Sequence, residues 1–450
     1  MTFRRLSIAI VLAAGLVLTT RGIAFAHATL LKATPAAGSR LAVSPSRIWL
    51  KFSEEMEPGM ATITLTSADG TVLTLKAAGD PHDVSAIAAG IEAPLSGEYE
   101  VTWHVVSADG HPVGGRFKFM VIATGTAAPV AAAPAVAPSV APSTTTTPRA
   151  PEESTWGPTL LGAPVVAAVL RGFAMATLAA FAGLLLFFSR ETSDAEIRHL
   201  HAIRVMTLLG WSAVFFLALH AFAWMMNAIP GHQFTAGMFA AVLHTSTGGM
   251  ELWRLGLAVL AALAFGYGRA SVATVFAFLA LAASGRSGHA AALYTAYSTP
   301  AKALHLMAGA VWLGGLSWLV VRDRTDAASF RAAAARVSSA ALIAVLVVAL
   351  SGVIQTKFFI GEWGALFTSS YGAVALAKTA GLLVLVGFGA YHRYRVMPSL
   401  QGGADAAGQF SRSLRGEITL MVAVMLLGGL LAYMPPPPAV SLPAASLTAP

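Results

Sequence analysis

Residues 27 to about 122 alternate apolar and polar side chains with the period of a β-strand. Ile48, Leu50 and Phe52 are interleaved with Trp49 and Lys51, and Ile63 and Leu65 with threonines, before Asp69-Gly70 supplies a turn. Glu98 to Val105 and Arg116 to Val121 repeat the alternation. Short strands divided by turn signals predict an all-β sandwich or Greek-key barrel of cupredoxin- or immunoglobulin-like type. Beyond residue 156 the pattern changes to long apolar runs, at about 160–188, 203–226, 251–267, 271–290, 303–321, 337–358, 371–391 and 417–434. Most have the length that crosses a bilayer as a helix. The expectation is an all-α polytopic membrane bundle of about eight helices.

Composition agrees. The 450 residues are 56% hydrophobic and only 11% charged, a balance few soluble chains show. The formal net charge of +8 does not point to nucleic acid, because its arginines are sorted by loop. Twelve, among them Arg190, Arg269, Arg322 and Arg393, fall in loops on one side of the runs; Arg286, Lys302 and Lys357 mark the other. Positive charge collects on the cytoplasmic side, so the β-domain is expected outside the cytoplasm, on a multi-pass protein of the cell membrane. With no cysteine, disulfides, thiolate zinc sites and thiol redox chemistry are excluded.

Five segments follow. Arg4 and Arg5 precede the apolar run Leu6 to Leu18, and Ala24-Phe25-Ala26 is a small-x-small cleavage signal, so residues 1–26 read as a signal peptide. Residues 27–123 are the β-domain, and 124–155 an Ala/Pro/Thr-rich linker with too little apolar surface to fold. Residues 156–434 are the membrane domain, and 435–450 a Pro-rich tail.

Cleavage after Ala26 would leave His27 first. Its α-amine and imidazole Nδ1 can close a six-membered chelate, and the amine, with a reference pKa near 8, yields its proton readily to a metal. Asp109 and His111, held in a turn by Gly110 and Pro112, add a carboxylate and a second imidazole. An Asp-Gly-His alone is an ordinary turn. Together with an N-terminal histidine it makes a nitrogen-rich tetragonal set of the type suited to Cu(II). Met56 and Met60 read as core residues rather than a Cu(I) site, His82 as solvated, and His104 as structural.

His27-Ala28-Thr29-Leu30, Lys51-Phe52-Ser53-Glu54 and Trp103 to Pro112 resemble the bacterial copper-resistance protein CopC. His305 to Leu316 and the Tyr371-Gly372 to Lys378 pattern resemble its membrane partner CopD. The resemblance covers almost the whole mature chain and implies a CopC–CopD fusion. It assigns Cu(II) ligation to His27, Asp109 and His111, and implies capture of copper, from extracytoplasmic donors, and delivery to the membrane domain for uptake.

Within the bundle, His220, His289 and His305 are expected in the outward half or rim, and His232 and His244 in the outward loop between the second and third runs. His220, His244, His289 and His305 form a candidate copper relay. Each has a plainer reading: His305 and Trp312 share one helix face and read equally as a packing seam, and Arg254 pairs with Glu251 one turn back. His199, His201 and His392 are expected in solvent on the cytoplasmic side. Two other functions stay open: a haem or copper redox protein, with His220 and His305 as the haem pair, and a membrane-anchored copper sensor or buffer. No P-loop is apparent, so no ATP coupling is expected, and the leading expectation is a transporter rather than an enzyme.

Overall fold

The structure, a computed structural model, describes residues 30–53, 55–107, 112–122, 159–160, 163–189, 200–229, 235–286, 295–322, 327–360, 363–397 and 404–434. The chain divides into two compact units, one built on the β-domain and one on the helices.

The β unit is a sandwich of two sheets. One orders its strands β1 (Leu30–Thr34), β3 (Arg47–Phe52), β7 (Asp83–Gly90) and β6 (Ala77–Asp80). The other orders β2 (Arg40–Leu41), β9 (Pro112–Val121), β8 (Gly97–Val106), β4 (Thr62–Ser67) and β5 (Val72–Leu75). The alternation read from the sequence is the alternation of burial: Ile48, Leu50, Phe52, Ile63, Leu65, Val101 and Val105 face the core. Phe52 of one sheet meets Trp103 of the other edge-on, with ring centroids 5.2 Å apart. Met56 and Met60 are buried, as expected. Gly70, at φ +86°, makes the β4–β5 turn, where Asp69 accepts from Thr71 N at 3.1 Å. Asn227–Thr245 belongs to this unit, and its helix α3 (Ala236–His244) packs against the 3-10 turn Pro58–Met60.

The other unit is helical. Its elements are α1 (Val165–Phe188), α2 (Leu200–Ala228), α4 (Ser246–Gly266), α5 (Ala270–Ala283), α6 (Thr295–Val321), α7 (Ala327–Ile360), α8 (Ser370–Tyr391) and α9 (Ala404–Leu431). Among the described residues, seven helices are long and apolar enough to cross a membrane. They answer to seven of the eight predicted runs; the fourth run forms the shorter apolar helix Ala270–Arg286. Helix α1 is the hub, buried along most of its length. Its closest neighbour is α6: a Cβ on Gly183 would stand 1.9 Å from Ala310 O, and one on Gly314 2.2 Å from Gly183 Cα. Two glycines face to face let the backbones nearly touch, as small residues do between membrane helices. At the end of α8 the backbone loosens into a π-turn, His392–Val396.

Candidate functional site

His27, Asp109 and His111 lie outside the described residues, but their flanks do not. Leu30, the first residue of β1, pairs with Phe52 at the end of β3. Met56, four residues on, bridges Ser107, and Pro112 opens β9 opposite Val106. Strand register therefore brings the start of β1 and the mouth of the β8–β9 hairpin to the same end of the sandwich. His104 stands on β8 between Thr62 and Gly114. Its Nδ1 is buried with no hydrogen bond among the described residues. Burial alone pushes its pKa down to about 4, so the ring is neutral near pH 7. His82 is exposed, as expected.

In the helical unit, Glu251 and Glu417 are the only carboxylates within the seven long spans. Each centres a polar cluster, and by residue count along the spans the two clusters stand at opposite ends of the bundle. In the first, Glu251 pairs with Arg254 one turn along α4. Arg254 Nη2 also reaches Nδ1 of His220 at 3.0 Å, while His220 Nε2 bonds Tyr433 Oη at 2.9 Å. Glu251 Oε2 lies 3.4 Å from the same Nδ1, so the ring closes a cluster of Glu251, Arg254 and Tyr433. His220, fully buried, thus has both ring nitrogens taken by protein groups. Tyr433 was not singled out from the sequence, since a tyrosine at the end of an apolar run reads as an interfacial anchor.

His305 differs. Its Nδ1 lies 3.0 Å from Ser351 Oγ on α7, and that hydroxyl sends its own proton to Val347 O at 2.5 Å. Nδ1 therefore donates, and the backbone of Val348 is a further partner of the ring. His305 sits near Lys378 of α8 and has a partner set distinct from that of His220. His244 is exposed on α3, in the segment that belongs to the β unit. His289 and His232 lie outside the described residues. Among the described residues, no three of His, Asp and Glu gather as a metal cluster.

The second cluster corrects an expectation. His392 is buried, not solvated, at the start of the π-turn, where Nε2 meets Ser413 Oγ at 2.7 Å. Its Nδ1 lies 3.0 Å from Glu417 Oε2. Trp312 donates its indole N–H to Glu417 Oε1 at 3.2 Å. The expectation of solvation was drawn from its place on the cytoplasmic side; the flanking arginines Arg393 and Arg395 are exposed there, while the ring turns in. Glu417 opens the last apolar run, and its place among so few membrane carboxylates was the signal that marks it. His201 is exposed, as expected, and His199 lies outside the described residues.

The profile of the CopC domain matches residues 30–122, and that of copper resistance protein D (CopD) matches residues 331–431. Copper resistance protein C of Pseudomonas syringae pv. tomato is 35% identical over 131 residues, spanning 27% of this chain and 99% of that protein. The chain belongs to the CopC family. Its CopC domain is joined to a CopD domain in one polypeptide, as the sequence motifs implied. Copper transport protein CutJ of Bacillus subtilis (strain 168) is 25% identical over 446 residues, 92% of this chain and 75% of that protein. A solved CopC from Methylosinus trichosporium OB3b is 27% identical, covering 23% of this chain and 100% of that one with a TM-score of 0.21. The protein is thus a multi-pass membrane member of the copper resistance and transport families. His392 and Glu417 fall inside the CopD match, whereas His220, Glu251 and His305 precede it.

Proposed function

We propose that the CopC domain captures Cu(II) outside the cytoplasm through the His27 amine and imidazole, Asp109 and His111, and hands copper to the CopD bundle for uptake across the cell membrane. The observation that carries this reading is the union of CopC and CopD domains in one chain. A tether between them holds the capture site near the bundle at high effective concentration, which favours hand-over at low free copper. The strand register supports the ligand set, since the flanks of His27 and of Asp109-Gly110-His111 meet at one end of the sandwich. His305, which stands outside the Glu251–Arg254 cluster that engages His220, is the bundle histidine best suited to receive the ion. Arginine-rich loops favour the orientation with the CopC domain outside. The chain acts as a carrier of copper and not as an enzyme.

The test inserts one alanine between Ala26 and His27, so that the processed chain no longer starts with histidine. Cu(II) affinity of the full protein then falls and the nitrogen hyperfine pattern of its EPR spectrum changes. Equal affinity in the two proteins overturns the chelate. Cellular copper accumulation with wild type and with His305→Ala tests direction and route together: uptake rises with the wild-type protein and not with the variant.

A further inference from the structure

The polar cluster at the far end of the bundle opens on a cavity of about 310 Å³ lined by His392, Glu417, Trp312, Met397 and Arg393. Glu417 is almost fully buried. Its Oε1 is held by Trp312, but Oε2 has no hydrogen bond among the described residues, although His392 Nδ1 is only 3.0 Å away. The imidazole nitrogen and the carboxylate oxygen stand side by side rather than in the line of a hydrogen bond. Two ligands, each about 2.1 Å from one ion and at right angles, stand about 3 Å apart. Spacing and orientation thus suit a shared cation.

The surroundings support this. His392 Nε2 is tied to Ser413 at 2.7 Å, which fixes the ring plane as a second-shell partner fixes a metal-bound imidazole. The π-turn His392–Val396 departs from the regular helix of α8, and the ring beside it turns inward. Met397 brings a thioether to the same cavity. Arg393 Nη1 is engaged by Ser338 Oγ at 3.0 Å, so the cation at the rim is held by another partner. Nitrogen, oxygen and sulfur together suit copper better than a hard cation. The contrast with the other membrane carboxylate is plain: Glu251 is already neutralised by Arg254.

We propose that Glu417 and His392, with Met397, form a second copper station at the end of the bundle remote from His305 and Glu251. This deepens the transport reading and rests on it. Three donors of mixed type make a weak site, which a cargo must be able to leave.

The experiment uses the full chain in lipid nanodiscs and silver(I), a closed-shell stand-in for Cu(I), counted by mass spectrometry after equilibrium dialysis. Glu417→Gln, isosteric and able to keep the Trp312 bond, binds one silver ion fewer per chain than wild type. Trp312→Phe keeps the count and weakens that ion roughly tenfold, as removal of an outer-shell partner does. Met397→Leu, close in volume and without a donor, weakens it as well, and serves if Glu417→Gln does not fold. Equal silver count and affinity in wild type, Glu417→Gln and Met397→Leu overturns the station. The Cu(II) EPR signal of the CopC domain is read in the same samples: its absence in wild type would remove the transport reading, while the silver count still decides the station.

Discussion

Trp312 on α6 and Glu417 on α9 are joined by a hydrogen bond of 3.2 Å between buried side chains more than a hundred residues apart. Trp312 lies seven residues after His305 on the same helix face, about 10 Å further along the axis. One face of α6 therefore links the imidazole of His305 to the carboxylate at the opposite end of the bundle. The packing seam expected from that spacing is there, and it ends in a polar contact.

The Glu251–Arg254 pair predicts a non-additive pair of substitutions. Glu251→Ala strands a buried guanidinium and destabilises the bundle by about 3–5 kcal/mol, whereas adding Arg254→Leu recovers most of the loss. Unfolding of the purified protein in detergent, measured for both single variants and the double, gives the coupling. Additive losses would contradict it.

Helix contact at Gly183 predicts intolerance of any side chain. A Cβ there meets backbone, Ala310 O at 1.9 Å and Gly314 Cα at 2.7 Å, which cannot swing aside as a side chain can. Gly183→Ala forces α1 and α6 apart and lowers the yield of monodisperse protein; Gly183→Leu gives none. Gly309, with open space around its Cβ position, accepts alanine on the same α6 helix and serves as the control.

Within the sandwich, Gly115 lies under the Trp103 ring, and a Cβ would approach Trp103 Cζ2 to 2.4 Å. Gly115→Ala displaces the indole from its edge-on contact with Phe52. Overpacking of this kind costs about 1–3 kcal/mol. The thermal transition of the CopC domain, followed by tryptophan fluorescence, falls by at least about 4 °C.

His104 predicts a stability change in a defined pH window. Its ordinary pKa of 6.5 is lowered to about 4 in the folded domain by burial. Between these values the unfolded chain binds more protons, so stability falls as pH drops from about 6.5 to about 4, by up to about 3 kcal/mol, and is restored as pH rises. Denaturation of wild type and His104→Gln at pH 7 and pH 4.5 checks the sign: the variant loses the slope. Asp83, with its carboxyl held down to about 2 chiefly by its hydrogen bond from Lys51, acts in a separate window below about pH 4.

The strands and spans were legible because each has one period and one buried face. Ile48, Leu50 and Phe52 announce their side of β3, and the apolar runs announce their length. The clusters were less legible, because they depend on which helices meet. Arg254 and Glu251 sit one turn apart and were paired from sequence alone, whereas Tyr433 reaches His220 across 213 residues. His392 was misplaced for the same reason: its neighbours in sequence are arginines, but its neighbours in space are Glu417 and Ser413.

The helix Ala270–Arg286 has 17 residues, a rise of about 25 Å, against a hydrocarbon layer of about 30 Å. Its face of Ala273, Thr274, Ala277 and Leu281 is packed inward, so it cannot tilt or slide to suit the lipid. The acyl chains must adjust instead, drawing the two leaflets together along that flank. A bilayer drawn thin in this way presents an ion with a lower dielectric barrier than one of full thickness.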